Sequence, residues 1–331
     1  MSKSTGKRTL DAFFKPPVKR QRISATEHGG RNPELATASD QDLQFSRHPM
    51  YPFPIKCFPQ HIETAMASFP SATPRVINDQ PDLDLLYFEP YIPRNLEREI
   101  FQFLRSELPF YRVEYNIKRG GIENRIRTPR YTTVFGLDET ARFNETGDVV
   151  NATTGQKLEN EKYYSKYPPR PIPKCLDDIR TSTEAATGCK FNFCLVNYYA
   201  SGSDSISYHS DNERFLGKLP AIASFSLGAR RDFLMKHKPV APNANAAETK
   251  TVKLPLAGGD MLLMRGKTQS NWLHSIPKRT GRNVNDGGRI NITFRRATEK
   301  GGTENYYNYN VGTGPVYRWD GISREMKSCK P

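Results

Sequence analysis

Cysteine is scarce in this chain, and the few present form no pattern. The five are Cys57, Cys175, Cys189, Cys194 and Cys329; the number is odd and none stands in a C-x-x-C pair. That spacing argues against a disulfide framework or a zinc ribbon and for a reducing compartment. Long apolar runs are also missing, so no stretch approaches the length of a membrane span. The first residues are polar and cationic, without the apolar segment of a secretory signal. A soluble intracellular protein is expected. Apolar residues make up 36% of the chain, low enough that part of it should lie outside any core. Acidic residues are outnumbered, 35 against 49 Lys and Arg, for a formal charge of +14. Such a balance favours a polyanionic partner, nucleic acid before anionic membrane, although a basic surface alone does not select one.

What is present changes character along the chain. Residues 1–80 are rich in Pro, Ser, Thr and Gln and lack apolar periodicity. They read as a disordered basic tail, because such a composition buries too little surface to offset its ordering entropy. Two short features stand within it. In a helical turn Leu10, Phe13 and Phe14 converge into one apolar plug. The run resembles the box that docks on the PCNA sliding clamp, with Lys7 where that box has Gln. Lys15-Pro-Pro-Val-Lys-Arg-Gln-Arg22 reads as a nuclear localisation signal. Both features place the protein in the nucleus, near DNA; a chance aromatic pair and a plain solvated basic run are the simpler readings.

From residue 81 a folded domain is expected. Asp82–Ile92 is strand-like, and Arg94–Leu108 carries a helical stripe of Leu96, Ile100, Phe103 and Leu104, with Asn95 placed to cap it. Residues 111–131 interleave Arg112, Lys118, Arg119, Arg125, Arg127 and Arg130 with Tyr111, Tyr115 and Tyr131 around Gly120-Gly121. Cations neutralise phosphates and aromatics stack on bases, so the segment is a candidate nucleic-acid contact. An exposed hairpin with a solvated charged face fits it as well. Residues 138–162 look like a polar insertion, and Ile172 to about Thr187 suits a second helix.

Beyond residue 190 the period becomes two. Strands are predicted at 191–199, 205–211, 222–228, 231–237, 251–256, 259–264 and 289–295, with turn signals between them. Many short strands indicate a sandwich or jelly roll, so the fold class is mainly β with flanking helices. His209 and Asp211 stand two apart on a strand and share a face. An imidazole beside a carboxylate is two thirds of the 2-His-1-carboxylate set that binds Fe(II), though an Asp that merely holds a structural histidine gives the same spacing. Of the six histidines, three are in the tail and His237 lies in a basic run, which leaves His274 as the natural third ligand. Such a triad keeps metal positions open for a bidentate 2-oxo acid and dioxygen. Arg289 and Arg295 share a strand face; turned inward they need an anion, and guanidinium forks grip carboxylates. Turned outward they are ordinary surface charges. Asn197 and Tyr199 can add neutral hydrogen bonds to the same anion.

Taken together, Asn197-x-Tyr199, His209-Ser-Asp211-Asn-Glu213, His274-Ser-Ile-Pro and Arg289-Ile-Asn-Ile-Thr-Phe-Arg295 resemble the AlkB family of Fe(II)/2-oxoglutarate dioxygenases. Ile222–Phe233 is similar to its nuclear, DNA-repairing branch. The resemblance covers residues 82–296 and leaves 1–80 and an extension, 297–331, outside an 81–296 domain. It implies a double-stranded β-helix (jelly roll) core and oxidative demethylation of 1-methyladenine and 3-methylcytosine in DNA. Fe(II), 2-oxoglutarate and O2 would be used, and formaldehyde, succinate and CO2 released. By the resemblance His209, Asp211 and His274 hold the metal; Asn197, Tyr199, Arg289, Thr293 and Arg295 hold the co-substrate. The base must leave the stack. Tyr164 is the candidate to sandwich it, Tyr115 to fill the gap, and Asn212 and Glu213 to read its edge, with Arg125, Arg127 and Arg130 on the nucleic acid. Relatives often have Asp where this chain has Asn212. A monomer is expected. An RNA demethylase or a protein hydroxylase on the same roll would share the triad. A silent DNA- and clamp-binding adaptor would be expected to have lost a ligand or an arginine, and none is missing.

Overall fold

Along Arg289–Arg295 every second side chain is apolar, and this alternation sorts the molecule into two layers. The computed structural model describes residues 44–120, 122–158, 162–239, 249–280, 286–312 and 314–329. Ile290, Ile292 and Phe294 point into a core shared with the helices, whereas Arg289, Asn291, Thr293 and Arg295 project from the other face, all of them buried. The strand therefore lies inside a roll, with no solvent on either side, and the outward reading of its arginines does not hold.

It is a central member of a ten-stranded sheet whose order is Glu325–Cys329, Val316–Asp320, Phe110–Tyr111, Tyr131–Gly136, Phe193–Tyr199, Arg289–Arg295, Ile222–Gly228, Met261–Met264, Leu85–Phe88 and Arg75–Ile77. A four-stranded sheet, ordered Ile206–His209, Trp272–Ile276, Arg231–His237 and Val252–Leu256, faces it. Their inner faces share a second core, including Phe233, Met235, Leu256 and Trp272 from the small sheet and Leu85, Tyr87, Leu195, Tyr199 and Leu262 from the large one. Inward-pointing alternate residues from two antiparallel sheets make the layered packing expected of a jelly roll.

The helices Arg94–Glu107 and Lys174–Thr187 cover the back of the large sheet with Ile100, Phe101, Leu104, Leu176 and Ile179. Each begins directly after a proline, Pro93 or Pro173, and neither has a side-chain cap. Asn95 lies inside the first turn, so the expected cap there is replaced by Pro93. The second helix ends on Gly188 at φ 69°, a left-handed conformation that glycine adopts without steric cost.

Two boundaries differ from the sequence reading. Residues 44–80, read as part of a disordered tail, are folded: Ile55, Phe58, Ile62, Met66 and Phe69 are buried in the back core, and Arg75–Ile77 pairs with Leu85–Phe88. Their elements are too short to show a period, a two-residue strand Ile55–Lys56 and a six-residue helix Gln60–Ala65 among them, and prolines interrupt the rest. The extension after 296 is likewise built in. Glu304–Asn310 is a helix whose Tyr306 and Tyr307 enter the core between the sheets, and 316–329 forms a hairpin on the sheet edge. The insertion holds its own hairpin, Ala141–Phe143 with Val149–Asn151. Among the described residues no helix is long and apolar enough to cross a membrane.

Candidate metal and co-substrate site

His209 and His274 face each other directly across the antiparallel pair Ile206–His209 and Trp272–Ile276, with ring centroids 4.3 Å apart. His274 thus stands on a strand, Trp272–Ile276, that the period-two reading does not include. The register shifts between Ile206 and His209, and directly opposed side chains project together, which is what lets two histidines 65 residues apart in the chain meet. Asp211 follows the first strand; its backbone N–H donates to Gln269 Oε1 at 3.0 Å, which fixes the turn that brings its carboxylate inward. One ligand atom from each of His209, Asp211 and His274 lies within 4.8 Å of the others. Outer partners orient the set. His209 Nδ1 sits 2.8 Å from the Ser207 carbonyl, leaving Nε2 for a ligand, and Phe233 stacks on the His274 ring at 5.3 Å.

The electrostatics suit a cation. Burial pushes His274 down to about 3, aided by neighbouring His209, so its imidazole is neutral. His209 is lowered for the same first reason, burial. Burial alone would raise the Asp211 carboxyl, but the charge and hydrogen bond of Arg295 hold it below its ordinary value. Two neutral imidazoles and one carboxylate are the protonation states a metal requires.

Next to this cluster the two arginines are under-partnered. Arg295 donates through Nη2 to Asp211 Oδ2 at 3.0 Å, while its Nε and Nη1 are buried without a partner among the described residues. Arg289 donates through Nη2 to Ser226 Oγ at 2.8 Å, and its Nε and Nη1 are likewise buried and unpaired. Burial pushes the Arg289 guanidinium down to about 10. Buried N–H groups left open on two cations are costly unless an anion meets them. A small dicarboxylate fits that deficit: one carboxylate for Arg289, and one oxo-acid end beside Arg295 and the metal ligands. Ser226 was not foreseen; it lies one strand over on the same face, and its alternation with Phe225 and Leu227 carries the signal.

The remaining expected residues divide. Tyr199 lies under Arg289, ring to guanidinium 5.4 Å. Thr293 is on the same face but spends its hydroxyl on Leu195 O at 3.0 Å. Asn197 is buried and accepts 2.9 Å from Arg130 Nε. Arg130, expected on phosphates, is therefore an inward residue; burial lowers its pKa, and it braces the wall beside His209. Arg127 is exposed and pairs with Glu114 at 2.9 Å on the hairpin Glu114–Arg119 and Ile122–Arg127. The backbone of Tyr115 and Arg125 belongs to that hairpin, while their side chains lie outside what is described, as do Leu10, Phe13 and Phe14. Asn212 is exposed beside Ser270, 3.4 Å away.

Tyr164 requires a correction. Its ring is buried with Leu137 and Ala141 in the insertion's own small core, and its hydroxyl donates to Asp138 at 2.8 Å. Its backbone at φ 68° is held by Glu304, which accepts from its N–H at 2.7 Å. A ring so enclosed cannot sandwich a base, because the insertion and its flanks fold on themselves around it.

Comparison with known proteins agrees with this chemistry. Residues 84–295 match the 2OG-Fe(II) oxygenase superfamily. The chain is 41% identical over 128 residues to the human protein named DNA oxidative demethylase ALKBH2, covering 39% of this chain and 48% of that one. It is 40% identical over 137 residues to the rat alpha-ketoglutarate-dependent dioxygenase alkB homolog 3, covering 40% and 45%. The Arabidopsis thaliana DNA oxidative demethylase ALKBH2 is 29% identical over 227 residues, 64% of this chain and 66% of that one. The chain spans about half the length of the mammalian relatives it matches.

Proposed function

The chain belongs to the 2OG-Fe(II) oxygenase superfamily, and from that premise we propose that it is an AlkB-type enzyme that demethylates N-alkylated bases in DNA. The observation that carries the reading is the His209, Asp211 and His274 cluster set against two buried arginines with open N–H groups. The names of its relatives support DNA as the substrate class, and the basic balance of the chain agrees. When bound, Fe(II) with 2-oxoglutarate and O2 supplies oxidation of a substrate C–H bond coupled to oxidative decarboxylation of the 2-oxo acid.

The chain's own residues do the rest. His209, Asp211 and His274 would hold the metal. Arg289 and Tyr199 take the co-substrate's far carboxylate, and Arg295 serves the end next to the metal while holding Asp211 in place. Apolar walls from Leu195, Phe233 and Tyr199 exclude water, which strengthens these charge contacts. Substrates are 1-methyladenine and 3-methylcytosine; the hydroxylated N-methyl group leaves as formaldehyde, with succinate and CO2 as the other products. Asn212 and Glu213 face the base edge. The same proposal includes a nuclear location through Lys15–Arg22, docking of Leu10, Phe13 and Phe14 on the PCNA clamp, and a monomeric enzyme.

The test is incubation with Fe(II), 2-oxoglutarate and an oligonucleotide carrying either lesion. Loss of the mass of one CH2 per lesion is expected on DNA. Loss on RNA alone moves the assignment to RNA; loss on neither, with 2-oxoglutarate still consumed in the presence of a protein substrate, moves it to a hydroxylase. Clamp binding unchanged in Phe13→Ala/Phe14→Ala removes the docking claim.

A further inference from the structure

The segment after residue 296, outside the matched region, passes beside the metal site before it reaches the sheet edge. Arg296 pairs with Glu139 at 2.7 Å, and Thr298 Oγ1 donates to Phe215 O at 3.0 Å. Gly301 and Gly302 then let the backbone pass flush with the roll: a Cβ on Gly302 would stand 2.6 Å from Phe215 Cβ. The helix Glu304–Asn310 is fastened at both ends, by Glu304 accepting the Tyr164 N–H and by Thr132 Oγ1 donating to Asn310 O at 2.9 Å. Between these anchors Tyr306 is driven inward. Its ring packs on Phe193 and Phe215, centroids at 5.5 and 5.8 Å. The Arg295 guanidinium lies 5.0 Å over the same ring. Its hydroxyl donates to Glu213 Oε1 at 2.7 Å, whereas Glu213 Oε2 is buried without a partner among the described residues.

We propose that Tyr306 is a positioning residue of the active site, supplied by the C-terminal segment. One bond pins the first oxygen of Glu213 and so aims the second, unpaired oxygen at a hydrogen-bond donor on the substrate, the exocyclic amino group of a flipped adenine or cytosine. The ring meanwhile backs Arg295 and keeps its open N–H groups turned to the co-substrate. The substrate half rests on the base-demethylation reading; the Arg295 half does not.

Two variants separate the roles. Tyr306→Phe keeps the ring and loses the hydroxyl; Tyr306→Leu loses both. Titration of 2-oxoglutarate into Mn(II)-loaded protein by calorimetry should give an unchanged dissociation constant for Tyr306→Phe. For Tyr306→Leu the constant should rise roughly thirtyfold, the size of a desolvated cation–π contact. Equal binding by wild type and Tyr306→Leu overturns the Arg295 half. Anisotropy titration of a 1-methyladenine oligonucleotide should show Tyr306→Phe and Glu213→Gln losing the preference for methylated over unmethylated strand to the same degree, roughly tenfold, as expected for a charge-assisted hydrogen bond. Preference retained in Tyr306→Phe but lost in Glu213→Gln overturns the aiming role. A wild type with no preference between the two strands, but with the expected calorimetric split, refutes the demethylase reading and the substrate half with it, and leaves the Arg295 half supported.

Discussion

Arg295 Nη2 stands 3.0 Å from Asp211 Oδ2, so the guanidinium placed to meet a co-substrate also holds the carboxylate placed to meet a metal. Both side chains are buried. In metal-free protein they are each other's main compensation, and removing one leaves a lone charge inside the roll. Asp211→Ala is therefore expected to abolish Fe(II) binding and also to destabilise the apoprotein by about 3 kcal/mol, since breaking a buried pair costs more than a surface one. Metal titration and urea denaturation of the same sample check both. Turnover surviving in Asp211→Ala would sink the iron assignment.

Arg289 should behave in the opposite way. Its two unpaired N–H groups make it a burden on the empty fold. Arg289→Met is expected to keep or raise apoprotein stability while weakening 2-oxoglutarate binding roughly a hundredfold, the loss of about two charge-assisted hydrogen bonds. A destabilised apoprotein with normal co-substrate affinity would mark the residue as purely structural.

Acid should loosen the metal-free protein. The His274 imidazole has an ordinary value of 6.5 and is held at about 3 by burial. A folded value below the unfolded one means the unfolded chain binds the proton first. Stability is then fully present above about pH 6.5 and is lost progressively toward pH 3, with His209 and, further down, Asp211 acting in the same sense. Urea midpoints measured stepwise from pH 7.5 downward should fall, and they should fall less in His274→Phe.

Arg170 is the strongest structural bet. It is buried, donating to Val134 O at 2.8 Å, Tyr111 Oη at 3.0 Å and Thr133 Oγ1 at 2.6 Å, with its guanidinium 4.6 Å over the Phe135 ring. Arg170→Leu leaves three acceptors without their donor and should cost about 2–4 kcal/mol, read as a lowered denaturation midpoint. Stability within about 0.5 kcal/mol of wild type would show that water replaces it.

Much of the roll was legible because period-two alternation survives in several of its strands: 222–228, 231–237 and 289–295 agree residue for residue with the observed strands. The metal cluster was legible because His209 and Asp211 share a short segment and the histidine supply left one further candidate, although the strand ends at His209 and Asp211 stands in the turn after it rather than on a common strand face. What sequence could not reveal was direction in irregular backbone. Arg130 looked like its neighbours on the basic hairpin, yet it follows Pro129 and turns in to Asn197. Tyr306 gave no signal, because its partners Phe193, Glu213 and Arg295 come from three separate parts of the chain. The folded stretch 44–80 was hidden by the shortness of its elements and by the prolines between them.

The large sheet is sealed at its two margins by segments beyond the homologous region, Arg75–Ile77 at one and 316–329 at the other. Trimming the protein to 84–295 would bare the edges of Leu85–Phe88 and Phe110–Tyr111. Open strand edges template pairing with other chains. Such a fragment would self-associate and aggregate before its catalytic competence could be judged, so the minimal working enzyme is larger than the family boundary suggests.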